Sequence, residues 1–188
     1  MLLSDKYPKH SILIKFGNQC IWTWEVCRLA KKYCNDESLI GWCGLDTYLA
    51  SILKEYALLQ IAKMHDPEKI CGHENHSFHK MISHYHAKND PIIVNFFEDN
   101  KDFIATICDA RKKTIAHSDL ETVRGNKILG TFPDGADDKY FLGLHQAVEH
   151  LYNKAGIGPF PDWPIFIDND FDEFITKINK CKQLQDGA

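Results

Sequence analysis

Arg111 and His117 are the pair whose types and spacing best suit chemistry on an anionic substrate. An imidazole takes up or returns a proton near neutral pH. A guanidinium grips a phosphate through a two-pronged fork and stabilises charge that develops on oxygen. Arginine is scarce in this chain: Arg28, Arg111 and Arg124 stand against nineteen lysines. An arginine directly before Lys112 and Lys113 therefore points to a need for the planar fork as well as for charge. Six residues of regular helix set the two side chains about 120° apart around the axis and ~9 Å apart along it. One straight helix does not bring them together, so a helix end or a second subunit must complete the site.

The segment carrying the pair reads as the end of a helix. Phe103, Ile107, Ala110, Thr114 and His117 share one stripe, and Ile104, Cys108, Arg111 and Ile115 share the next. Ser118-Asp-Leu-Glu121 matches a capping box and predicts a break right after His117. Upstream, helical spacing predicts helices over 17–34 and 45–65, the second stopped by Asp66-Pro67. A polar loop over 66–76, a short helix over 77–86 and a helical segment opened by Asp90-Pro91 follow. Beyond the motif come a glycine-rich connection over 124–136, a helix over 137–155, the loop GIGPFPDWP and a last short helix marked by Phe171, Phe174, Ile175 and Ile178. Asp134, Asp137 and Asp138 read as charges at a positive helix start. The expected fold is mainly all-α, a single domain over 1–188 with a bundle at about 17–155 and a C-terminal appendage at 156–188.

The run Ala110-Arg-Lys-Lys-Thr-Ile-Ala-His-Ser-Asp119, with its R-x5-H spacing and IAHSD ending, resembles the HEPN superfamily, most of all its AbiU-like abortive-infection branch. The stretch EYALLQIAKMHD, followed by a loop and a Ser-initiated short helix, is similar to that branch too. By helix order the resemblance covers roughly residues 20–155, and about ten residues match closely. It implies a HEPN-like antiparallel helical bundle with extra short helices. It further implies a homodimer that places two such motifs in one cleft, and metal-independent cleavage of RNA by a toxin or phage-defence effector held in check by an antitoxin protein. In that chemistry His117 moves the proton of the ribose 2′-hydroxyl or of the leaving 5′-oxygen, and Arg111 clamps the phosphate. Lys112 and Lys113 bind the RNA backbone. Lys112 departs from the family, which usually has a small polar residue there.

The rest of the composition bounds this reading. The chain of 188 residues is 44% hydrophobic and 26% charged, with a net charge of −4 and a pI near 6.2. That balance argues against a dedicated nucleic-acid coat, and DNA binding is not expected. The opening MLLSDKYPKHSILIKFG has no long apolar run, which predicts neither export nor membrane insertion. Seven cysteines without a C-x2-C pair read as reduced thiols, so a cytoplasmic location is expected. Cys20, Cys27 and Cys34 recur every seven residues and read as small apolar side chains on one helix face. Trp22, Trp24 and Trp42 read as core or interface residues. Six of the ten histidines (His65, His73, His76, His79, His84 and His86) crowd around Cys71, and His76 and His79 could share a helix face. Without a tight ligand motif they read as solvated or pairwise hydrogen-bonded, so no metal and no cofactor are expected. A non-catalytic HEPN module that binds a partner protein or RNA is the competing reading; the low pI and Lys112 favour it.

Overall fold

The computed structural model describes residues 3–35, 44–115, 134–164, 170, 172–177 and 180. The fold is all-α, with one minimal hairpin among the described residues. α1 (Leu3–Lys6) and a 3-10 turn (Pro8–His10) lead into α2 (Ser11–Asn35), and α3 (Gly44–Met64) follows. The two-residue strands β1 (Lys69–Ile70) and β2 (His73–Glu74) pair antiparallel, Lys69 opposite Glu74 and Ile70 opposite His73. Then come α4 (Phe78–His84), α5 (Pro91–Asp99), α6 (Lys101–Ala110), a wide π-type turn over Arg111–Ile115, and α7 (Ala136–Ala155). Residues 172–177 are again helical. No described helix is long and apolar enough to cross a membrane.

Several boundaries follow from single residues. Ser77 caps α4 by accepting from the Lys80 backbone N–H at 3.4 Å. Pro91 occupies the first position of α5, where its missing N–H costs nothing. Gly156 ends α7 in the left-handed conformation, φ 70°. The expected loop over 66–76 is tightened into the hairpin because Cys71 and Gly72 both take positive φ, 50° and 84°, as a two-residue turn requires. The segment opened by Pro91 breaks at Asn100, whose buried side-chain amide donates to Phe96 O at 2.9 Å and competes with the helical ladder.

The contacts fall into two compact units, 1–20 with 58–162, and 21–57 with 163–188. In the first, α7 packs against α5 and α6. A chain of rings runs through its core: Phe16 stacks on Phe78 (5.5 Å), Phe78 meets Phe96 edge-on (5.4 Å), and Phe96 and Phe103 both pack on Tyr140 (5.7 and 4.8 Å). Gly17 lets α2 approach α7 so closely that a Cβ there would fall 2.2 Å from the Tyr152 hydroxyl oxygen. In the second unit Val26 and Ala30 of α2 pack on Ala57 of α3. Tyr33 packs with Leu29, Ala50, Leu53 and Ile175, and Trp24 stacks on Trp163 at 5.8 Å.

Exposure varies within three sets of side chains that share type or spacing. Of the tryptophans expected in the core or at an interface, Trp24 is buried in the core, whereas Trp22 is 51% exposed and lies outside it. On α3, Leu49, Ile52 and Tyr56 face outward, Ile52 being 60% exposed. Among the evenly spaced cysteines Cys20 is fully buried, whereas Cys27 and Cys34 are half-buried. Trp42, Phe171, Ile178 and the 124–133 connection lie outside the described residues.

Candidate functional site around Arg111

α6 buries Phe103, Ile107 and Ala110, so its next residue, Arg111, leaves the core face at the helix end. The backbone then widens into the π-type turn, a departure from regular geometry that often accompanies functional sites. The Arg111 guanidinium is half-buried and donates through Nη1 to Oδ1 of Asp66, just past the end of α3. Lys112 is exposed. Lys113, also exposed, pairs with Asp109 one turn back at 2.9 Å. Burial pushes the neighbouring Cys108 thiol up, so it stays protonated at neutral pH. His117 and the 118–121 capping box lie outside the described residues. Of the predicted site residues, Arg111, Lys112 and Lys113 are therefore placed together on one turn.

Asp66 was legible only as a helix stop, and its second role escaped the sequence reading. Its partner is 45 residues away, and no local pattern joins them. The one available signal was Arg111 itself, because a half-buried guanidinium needs an anion. The turn that carries Asp66 is fixed on both sides. The next residues are clamped by Asn75, whose side-chain amide donates to Pro67 O at 2.7 Å and whose backbone N–H donates to Glu68 O at 2.8 Å. The preceding residue, His65, is buried and hydrogen-bonds through Nε2 to the Tyr140 hydroxyl at 2.8 Å. Its Nδ1 is buried without a hydrogen-bond partner among the described residues. Desolvation, with a smaller push from His79, lowers the His65 pKa to about 3, so the ring is neutral at pH 7.

The crowded histidines separate into individual contacts. His76 precedes α4 and donates to Ile12 O at 2.9 Å, while His79 sits in the first turn, stacked on Phe97 at 5.2 Å; the two share no helix face. Among the described residues no group of three or more His, Cys, Asp or Glu is arranged to hold a metal ion. His79 and His86 instead line a cavity of about 490 Å3 with Glu68, Ile82, Ser83, Lys88 and Asn89. Burial lowers the His79 pKa, an effect that Glu68 partly offsets. His86 holds φ 51°, a left-handed conformation that costs a non-glycine residue on the order of 1 kcal/mol. That conformation is braced from α7: Lys154 Nζ donates to His86 O at 3.1 Å and to Asp90 Oδ2 at 2.7 Å, and His150 meets the same carboxylate at 2.8 Å. His150 and Lys154 together hold the Asp90 carboxyl below its ordinary range. No family model, curated protein or solved structure matches this chain.

Proposed function

We propose that the protein is a HEPN-like, metal-independent endoribonuclease, acting as a toxin or phage-defence effector. The observation that carries this reading is the orientation of Arg111 by Asp66 beside the exposed Lys112. One Nη1–H is used in that ion pair; among the described residues no other partner of the guanidinium is seen, so Nε and Nη2 can donate to a phosphate in the plane that the carboxylate fixes. A fork held in place before substrate arrives pays less ordering entropy when it binds.

The chemistry proceeds without a metal-bound water. His117 accepts the proton of the ribose 2′-hydroxyl as its oxygen attacks phosphorus. The bond to the 5′-oxygen breaks, and that oxygen takes a proton from a second imidazole, supplied by the other copy's motif in a dimer. The products are a 2′,3′-cyclic phosphate and a 5′-hydroxyl end. Arg111 neutralises the charge that builds on the non-bridging oxygens, and Lys112 and Lys113 draw in the backbone. The outward-facing Tyr48, Ile52 and Tyr56, spaced one turn apart on α3, supply apolar surface for a homodimer to cover. An enzyme of this kind, active on its host's RNA, calls for an antitoxin partner.

The same ion pair also favours a second reading. A guanidinium already neutralised by Asp66 serves as a structural tie between α3 and α6, as in a non-catalytic HEPN module that binds RNA or a partner protein. Arg111→Lys separates the two. A nuclease loses most cleavage, because an ammonium keeps the charge and gives up the fork. An interaction module that never cuts RNA keeps its partner binding in this variant.

A further inference from the structure

Glu68 lies two residues beyond Asp66, so the strap that orients Arg111 also forms one wall of the 490 Å3 cavity. We propose that this cavity is a nucleobase pocket selective for guanine, seating the base next to the phosphate that Arg111 grips. The inference rests on the RNA-cleaving reading of Arg111 and deepens it.

Three features of the lining carry the assignment. Its lining includes the flat ring of His79, which also stacks on Phe97, and the apolar Ile82. Burial keeps His79 neutral, so it offers a base a π-face and not a cation. Among the described lining residues Glu68 is the one acidic side chain, and a carboxylate accepts through two adjacent oxygens. Among the four RNA bases guanine alone presents two neighbouring N–H donors on its Watson–Crick edge. Adenine and cytosine place a ring-nitrogen acceptor beside the amino group, and uracil flanks its one N–H with two carbonyls; each would set a lone pair against Glu68. Lys88 is exposed and supplies a cation for the phosphate of the same nucleotide.

Size and rigidity agree. A cavity of about 490 Å3 lies within the range of small-molecule sites, and is too large for a bare ion. Its far rim is pre-set by the left-handed His86, whose carbonyl Lys154 holds from α7. The near rim is pre-set by Asn75 on Pro67 and Glu68. A pocket whose two rims are tied down in the free protein loses little freedom on binding.

Titration calorimetry of the full chain with the four nucleoside 5′-monophosphates tests the proposal. Guanosine monophosphate should bind about tenfold or more tightly than the others, the discrimination expected of one two-point contact. Glu68→Gln replaces one acceptor with a donor and should erase that preference with helix content unchanged. Equal binding of all four nucleotides, no binding of guanosine monophosphate, or a preference that survives Glu68→Gln overturns the pocket. A chain that binds guanosine monophosphate and cuts no RNA keeps the pocket and loses the catalytic reading. A chain that cuts RNA without preference for guanine and binds no guanosine monophosphate does the reverse.

Discussion

His65 makes the first unit sensitive to acid, and the size of the effect follows from its burial. Its folded pKa of about 3 lies below the ordinary value of 6.5. Between those values the unfolded chain binds a proton that the folded chain refuses, so stability is whole above pH 6.5 and falls as pH drops through the window. At pH 5 the loss from this residue alone is about 2 kcal/mol relative to pH 8. His79, also depressed by burial, adds to it with the same sign. Asp90, Glu74 and Glu173 have lowered pKa values and lose their stabilisation only at more acid pH, so the interval from pH 8 to 5 isolates the imidazoles. Urea unfolding at half-unit steps of pH, followed by tyrosine and tryptophan fluorescence, reads the slope directly. His65→Gln keeps a polar partner for Tyr140 and cannot titrate, so its stability should change by about 2 kcal/mol less over the same interval. A wild type whose stability is flat from pH 8 to 5, or a His65 ring that titrates near 6.5 by NMR, would refute the reasoning.

Gly17→Ala should destabilise the protein by about 1–3 kcal/mol, because its Cβ meets the buried Tyr152 hydroxyl and neither helix can withdraw cheaply; thermal unfolding checks this, and an unchanged Tm contradicts the close approach of α2 and α7. Ser77→Ala should cost about 1 kcal/mol through loss of the α4 cap, measured by chemical denaturation. Among the described cysteines a thiol reagent should modify exposed Cys71 first and leave Cys20 untouched until unfolding, since Cys20 is fully buried and burial pushes its thiol up; peptide mapping reads the order. Purified protein should hold no stoichiometric zinc, and chelation should leave its Tm unchanged; one tightly bound zinc per chain would return the histidines to the role of ligands.

Much of the helical framework was legible because its signals are local. Asp66-Pro67, Ser77, Pro91 and Gly156 each mark a boundary through their own backbone chemistry. Of the stripe Phe103, Ile107, Ala110, Thr114 and His117, the first three form the buried face of α6, and Arg111 on the adjacent stripe is half-buried. What escaped depends on distant residues. Helical periodicity says which side chains share a face but not whether another element covers that face, which is why Trp22 and Ile52 stand exposed. The break at Asn100 needs a side-chain bond to Phe96 O that spacing alone does not reveal. The Arg111–Asp66 pair and the cavity that Glu68 lines come from residues joined by the chain's path through space.

The central claim is metal-independent cleavage by Arg111 and His117. The most direct measurement incubates wild type and His117→Ala with structured RNA in excess EDTA and identifies the new ends. The account predicts that wild type cuts and leaves 2′,3′-cyclic phosphates. His117→Ala should be inactive with helix content unchanged. A folded wild type that cuts no RNA, or a His117→Ala protein that cuts at the wild-type rate, contradicts it.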